Sequence, residues 1–355
     1  MIVGILGGGQ LGRMIAMAAA ELGLSCHIYC PDPKSPAFAV AAARTIAPYD
    51  DEAALAAFAG AVDLVTFEFE NIPLATVRAL EHRVPVLPGS ASLEAAQDRL
   101  DEKRLISGLG IAVAPFAEVS RQADIYSALA RTGRPAILKT RRLGYDGKGQ
   151  ALIRAGDDPV AAWRAIGESA AILEAFVPFE REVSVILARG RDGATRAFDV
   201  TENVHESGIL ATSAVPAGIP ADLAAEAVSI AGRIAEAIGH VGVLAVEFFV
   251  TAANGRPRLV VNEIAPRVHN SGHWTLDAAT SSQFEQHVRA IAGWPLAEAG
   301  RHGDAVMTNL VGADVDNWQA LLAEPGTRLH LYGKAQPRPG RKMGHHTRLR
   351  PRGTG

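Results

Sequence analysis

The sequence predicts an α/β unit followed by an α+β unit and a short basic end, and three observations carry that prediction. The first hundred residues alternate apolar runs with helical patterns, the rhythm of βαβ units and a parallel sheet. From Ile111 onward, short strands and hairpins with single helices between them take over. From Pro325 to the end, eight Lys and Arg side chains, Arg328 to Arg352, stand without one Asp or Glu. The chain has 355 residues, enough at roughly 100–200 per domain for two or three domains. Boundaries are expected to give units 1–98, 99–290 and 291–355.

The elements follow in order. Ile2–Leu6, Ser25–Cys30, Leu64–Phe67 and Val84–Leu87 are apolar runs of strand length, and Gln10–Leu22 has helical periodicity. One charged amphipathic helix is expected over about Leu93–Ser107, ending at Gly108. Strands Ala136–Thr140 and Gln150–Arg154 flank a glycine-rich loop, and helix Val160–Gly167 follows. Strands are then expected at Ala171–Val177, Val183–Ala188 and Arg196–Thr201. Pro220 and Gly239 bracket a helix over Ala221–Ile238, the expected asymmetry of helix ends. Val243–Thr251 and Arg258–Ile264 flank Asn254-Gly255, a hairpin signal.

Composition removes several function classes. A net charge of −3 supplies no field to attract nucleic acid or an anionic membrane. No run of about 18 apolar residues exists to span a bilayer, and no basic, apolar leader precedes Met1–Leu6, so a cytoplasmic setting is expected. Cys26 and Cys30, on one extended segment, lie too far apart for a disulfide and read as buried thiols.

Four motifs could carry chemistry. Gly7–Gly12 fits G-x-G-x-x-G between a strand and a helix, with Asp32 about 20 residues on, the pattern of an NAD-binding turn. A tight strand-to-helix turn needs glycine whatever it binds, so a dehydrogenase remains only an alternative. Gly144–Gln150 lies between two strands and lacks the Ser or Thr of a Walker loop after Lys148. It is either a surface turn or a flexible cover giving backbone N–H groups to phosphates, with Lys139 adding charge. Glu247 and Glu263 are carboxylates within apolar strands of one hairpin. A three-residue loop, Asn254–Arg256, would place them directly opposite each other, a pair suited to magnesium. A two-residue Asn-Gly turn would put them on opposite faces, each with an arginine. Arg267, His269 and Asn270 follow closely and offer donors for a carboxylate, bicarbonate or phosphate; His273 and Trp274 read as structural.

Together these segments resemble the ATP-grasp superfamily and, within it, the N5-carboxyaminoimidazole ribonucleotide synthetases, ATP-dependent carboxylases of purine biosynthesis. The similarity rests on GGGQLGRM at Gly7–Met14, TFEFENIP at Thr66–Pro73, QDRLDEKR at Gln97–Arg104, GYDGKGQ at Gly144–Gln150, NEIAPRVHNSGHWT at Asn262–Thr275 and GRKMGH at Gly340–His345. The resemblance implies an ATP-grasp fold with an N-terminal Rossmann-like domain that does not use NAD and a small C-terminal domain. It implies that Arg99, Lys139 and Gly144, Tyr145, Asp146, Gly147, Lys148, Gly149 and Gln150 hold ATP phosphates. Glu174, Ala175, Phe176 and Val177 would meet adenine through their backbone, Glu182 the ribose, and His205 and Asn262 the nucleotide. Glu247 and Glu263 become magnesium ligands; Arg267, His269 and Asn270 hold bicarbonate or carboxyphosphate, with Asp146 handling a proton. Gln10, Glu70, Tyr145, Lys334, Arg341 and Lys342 would contact 5-aminoimidazole ribonucleotide. A homodimer is implied as well. Ala265 stands where many ATP-grasp enzymes carry a metal-binding Asn, and the chain ends soon after GRKMGH. A formate-using transformylase of the same superfamily is the nearest alternative.

Overall fold

A computed structural model describes residues 1–144, 147–253 and 255–353. The N-terminal sheet is parallel, in the order β3-β2-β1-β4, from β1 (Ile2–Leu6), β2 (Ser25–Tyr29), β3 (Ala43–Thr45) and β4 (Leu64–Phe67). Helix Gln10–Glu21 crosses from β1 to β2 and buries Leu11, Met14, Ile15 and Ala18. Val84–Leu87 does not become a full strand. Only Val86 bridges to Val65, because Pro85 and Pro88 supply no N–H to a ladder. Cys26 and Cys30 are free and buried.

The single helix expected over Leu93–Ser107 is two helices, Ser90–Gln97 and Arg99–Gly108. Asp98 breaks the run with extended backbone, and its own carboxylate caps the second helix through the Leu100 N–H at 3.0 Å. The same carboxylate takes Arg141 at 2.9 Å and Arg142 at 3.2 Å. The junction is therefore tied to the segment that enters the glycine loop.

A small antiparallel sheet in the order β5-β8-β6-β7 follows, built from β5 (Phe116–Val119), β6 (Ala136–Thr140), β7 (Gln150–Ile153) and β8 (Ala171–Ala175). The glycine loop joins β6 to β7. The largest sheet contains β9 (Arg181–Arg189), β10 (Thr195–Ala197), β11 (Thr201–Glu206), β12 (Ile209–Val215), β13 (Gly242–Ala253) and β14 (Arg256–Ala265). It continues through β15 (Gly303–Val311), β16 (Thr327–Leu331) and β17 (Lys342–Pro351) in the order β14-β13-β9-β11-β12-β15-β17-β16, with β10 on β9. The expected strand Arg196–Thr201 is thus divided between β10 and β11. The basic C-terminal segment extends the central sheet through β12 and β15. Helix Ala221–Ala237 lays Leu223, Ala227, Ile230 and Ile234 on one face of this sheet, against Val185, Leu187, Leu244 and Val246. No described helix is long and apolar enough to cross a membrane.

Candidate active site

The hairpin of β13 and β14 sets the centre of the site by a route the sequence did not show. From the turn to Phe248 the pairing is Ala253 with Arg256 down to Phe248 with Val261, the register of the two-residue turn. Continued unchanged, it would put Glu247 and Glu263 out of step. A bulge between Glu247 and Phe248 shifts the register by one residue and pairs Glu247 directly with Glu263. Asn254 lies outside the described residues, but the pairing on either side is sufficient to fix this outcome.

Glu247 is largely buried and Glu263 half-buried, and the two carboxylates are electrostatically unequal. Burial and the neighbouring Glu263 push the Glu247 carboxyl up to about 7. Burial acts on Glu263 too, but Arg99, whose Nη1 lies 2.9 Å from its Oε2, outweighs it and holds Glu263 below the ordinary range. An acid pair of which one member resists ionisation fits a divalent cation, which would supply the missing positive charge. Asn262 adds a buried Oδ1 without a hydrogen-bond partner next to Glu263. The donor set of hard oxygens suits magnesium, which Glu247 and Glu263 could hold.

Around this pair lie two clefts. One, of about 260 Å³, is lined by Ile137, Lys139, Gly147, Gln150, Phe179, Glu182, His205, Phe249, Asn262 and Glu247 among others. Phe179 stacks on Phe249 with ring centres 4.7 Å apart, making an apolar wall that the sequence reading did not single out. Glu182 Oε2 is 2.6 Å from His205 Nδ1. Burial opposes the His205 charge, but Glu182 and Glu247 raise its pKa overall. Lys139 donates to Glu174 at 2.9 Å, and buried Lys103 stands 3.7 Å from the same oxygen. Burial pushes Glu174 up, and the two lysines overcome this to bring it down to about 2. The Glu174 side chain is therefore a brace for Lys139. The Ala175 and Phe176 N–H groups are bound to Pro115 and Pro135 carbonyls and so are not open to an adenine, and none of Glu174, Ala175, Phe176 and Val177 is among the residues lining this cleft.

The glycine loop covers this cleft. Gly147 has φ +76°, and a Cβ there would lie 3.3 Å from Gly208 Cα, so only glycine lets the loop rest on the β11–β12 turn. Gly144 O accepts from Arg99 Nη2 at 3.3 Å. Gly149 packs on Thr140, and Lys148 is exposed on the loop. Tyr145 and Asp146 lie outside the described residues.

The second cleft, of about 360 Å³, is lined by Gln10, Glu70, Asn71, Gln97, Arg99, Glu102, Gly144, Glu263, Arg267, His269, Asn270 and Lys342 among others. Arg267 donates through Nε to Glu70, joining the C-terminal end of β14 to the N-terminal unit. Asn270 and Asn309 exchange amide hydrogen bonds of 2.6 and 3.0 Å, which leaves Asn270 one N–H for a ligand. Burial, then Arg267 and Lys342, lower His269 to about 3, so its ring is neutral at pH 7. Its Nε2 is 3.5 Å from Glu247. Lys342 lines both clefts, and Lys334 donates to the Lys342 carbonyl at 2.7 Å. Arg341 instead donates to the Gln336 carbonyl, and neither it nor Lys334 is among the residues lining the two clefts, so Lys334 bears on them through the Lys342 backbone.

The Gly7–Gly12 turn is no dinucleotide site. Glu68, at the end of β4, accepts the Gly9 N–H and, at 2.6 Å, the Gly12 N–H, filling with its own carboxylate the place a phosphate would take. A Cβ on Gly7 or Gly9 would collide with this side chain, which is why the turn is glycine.

Family models match the chain along most of its length: a ribonucleotide synthetase preATP-grasp domain over residues 1–97, an ATP-grasp domain over 104–284 and a phosphoribosylaminoimidazole carboxylase C-terminal domain over 305–352. The N5-carboxyaminoimidazole ribonucleotide synthase of Brucella melitensis is 50% identical over 352 residues, covering 99% of this chain and 96% of its own. This chain belongs to the N5-carboxyaminoimidazole ribonucleotide synthase family. The synthase of Pseudomonas aeruginosa is 46% identical over 98% of this chain and 94% of its own length. Among solved structures, the Staphylococcus aureus synthetase complexed with ADP superposes with a TM-score of 0.93 at 38% identity, covering 98% of this chain and 93% of that one. The Aspergillus clavatus synthase in complex with ADP and 5-aminoimidazole ribonucleotide gives 0.92 at 27% identity, covering 99% and 94%. The chain is thus an ATP-grasp ligase, and the dehydrogenase alternative falls with the filled glycine turn.

Proposed function

We propose that the chain carboxylates 5-aminoimidazole ribonucleotide to N5-carboxyaminoimidazole ribonucleotide, using ATP and bicarbonate and releasing ADP and phosphate. The observation that carries this reading is that Arg99, Glu263, His269, Asn270 and Lys342 line both clefts, so a nucleotide cleft and a second-substrate cleft meet at one set of groups. ATP would lie between Phe179, Phe249 and Ile137 at the base and Lys139, Arg99 and the glycine loop at the phosphates, with Glu182 and His205 at the ribose. Magnesium on Glu247 and Glu263 would offset the charge of the transferring phosphoryl group. Bicarbonate, held by Arg267 and the remaining Asn270 N–H, attacks the γ-phosphorus to give carboxyphosphate. The neutral His269 donates a hydrogen bond there without adding charge. The ribonucleotide amine in the second cleft then takes the carboxyl group, and phosphate leaves. Gln10 and Glu70 face the ribonucleotide and Lys342 and Lys334 its 5′-phosphate, with Tyr145 as a further ribonucleotide contact and Asp146 as the group that handles a proton. Arg341 is the weakest member of the substrate set.

The same reading places the units at 1–98, 99–290 and 291–355, the enzyme in the cytoplasm and the working species as a homodimer, which light scattering in solution would test. The functional test is ADP release with each substrate omitted in turn. Turnover should need both the ribonucleotide and bicarbonate; turnover supported by formate in place of bicarbonate would favour the transformylase alternative instead.

A further inference from the structure

Behind the second cleft, a group of side chains takes no part in the chemistry above: His273, Asp277, His330, Tyr332 and His345. His330 Nε2 stands 3.0 Å from both oxygens of Asp277, whose side chain is only 7% exposed. Tyr332 Oη and His345 Nδ1 are 2.8 Å apart, and both residues are fully buried with His273 beside them. Asp277, His330 and His345 bring a carboxylate oxygen and ring nitrogens within 4.8 Å of one another, a donor set that suggests a metal. The ring geometry argues otherwise. The His330 and His345 rings stack 4.6 Å apart and only 15° from parallel, so their in-plane lone pairs do not converge on a common ion.

The position of the group in the fold gives it a different use. His330 and His345 are register partners across β16 and β17, and β16 is the edge of the large sheet, hydrogen-bonded, among the described strands, to β17 alone. Asp277, on the short helix Thr275–Ala278 soon after Arg267–Asn270, takes hold of β16 from the central unit. A Cβ on Gly344 would lie 2.6 Å from the His330 carbonyl, so the two strands approach as closely as glycine alone allows. Four residues beyond His330 stands Lys334; three before His345 stands Lys342. We propose that Asp277 and His330 are positioning residues for the ribonucleotide phosphate: their hydrogen bond fixes the edge strand against the central unit and so sets where Lys334 and Lys342 stand. This rests on the reading of those lysines as the phosphate clamp.

The test compares His330→Leu with His330→Gln, which keeps an N–H donor for Asp277, in the full-length enzyme. Each substrate is varied at saturation of the others. His330→Leu should raise the ribonucleotide KM about tenfold while kcat, the ATP KM and the melting temperature stay near wild type, and His330→Gln should return the KM to within about threefold. Asp277→Ala should match His330→Leu, and the double variant should be no worse than either. A ribonucleotide KM within twofold of wild type in both single variants overturns the proposal, as does an equal rise in both KM values. Lys342→Ala separates the two levels. If it raises the ribonucleotide KM and His330→Leu does not, only the positioning role falls; if it has no effect, the phosphate reading falls and takes the positioning role with it.

Discussion

Replacing Glu247 by Gln separates what this carboxylate does to the empty protein from what it does for the reaction. Its carboxyl rises from the ordinary 4.5 to about 7 through burial and Glu263, so the folded chain holds a proton there that the unfolded chain releases. A folded-state acid pKa above the unfolded one makes the contribution to stability negative as pH climbs from 4.5 through 7, and the full penalty stands above pH 7. The rise corresponds to about 3 kcal/mol. Gln fills nearly the same volume without charge. At pH 8 the variant without nucleotide should therefore melt higher than wild type, and the difference should shrink toward pH 5. Magnesium with ADP should reverse the order. A ligand at 100 times its Kd stabilises by about 2.7 kcal/mol, and the variant, with one metal carboxylate gone, should lose most of that gain together with turnover. Thermal melts at pH 5 and 8, with and without magnesium and ADP, and ADP release are the assays. A variant that melts lower than wild type at pH 8 without nucleotide, or that keeps magnesium-dependent turnover, would refute the reasoning.

Three further outcomes are expected. Lys342→Ala should raise the ribonucleotide requirement roughly ten- to 150-fold, the loss of about 1.5–3 kcal/mol from one charge-assisted phosphate contact, with ATP dependence measured in parallel to show whether the shared cleft spreads the effect. Glu68→Ala should destabilise the N-terminal unit by exposing two glycine N–H groups to a cavity, and nucleotide titrations should show no NAD binding to the vacated turn. His287, bound to Thr66 Oγ1 at 2.8 Å, and His240, 3.1 Å from Ser92 Oγ, join the N-terminal unit to the central one with neutral rings, and burial lowers them to about 3 and 4. Because the unfolded chain takes up these protons below 6.5, the melting temperature should fall as pH drops from 6.5 toward 4, and His287→Asn should show a shallower fall.

Sequence patterns gave the elements wherever one periodicity ran unbroken, as in β1, the helix Gln10–Glu21, the helix Ala221–Ala237 and the β13–β14 hairpin. They failed where a single side chain overrode local preference. Asp98 sits in a helical pattern, and only its contacts with Arg141 and Arg142, more than 40 residues on, make a break there preferable to a continuous helix. The glycine turn suggested a phosphate because the sequence cannot show that Glu68 fills it. Glu174 was expected from the sequence in a nucleotide-binding segment, whereas its brace to Lys139 required knowing that β6 and β8 are neighbours. The Phe179–Phe249 stack left no motif at all, since two phenylalanines on separate strands carry no spacing signal.

The pairing of Glu247 with Glu263 shows how local irregularity can set a functional register. With the turn alone, the two carboxylates would fall out of step, and one would face away from the cleft. The bulge at Glu247/Phe248 restores them to one face while leaving Phe249 in position to stack on Phe179. One inserted step thus aligns two features that a regular ladder would set against each other: an apolar wall toward the turn and, further along the strand, paired carboxylates. The strand ends at Ala265, and Arg267, two residues further on, has its partner Glu70 in the N-terminal unit. On the proposed reading, a carboxyphosphate formed beside Glu263 would meet its acceptor across the residues shared by the two clefts, without passing through solvent in which it could hydrolyse. On the proposed reading the two clefts would serve as one reaction chamber, because Glu263 lines both and Arg267, just past the end of its strand, reaches the neighbouring unit through Glu70.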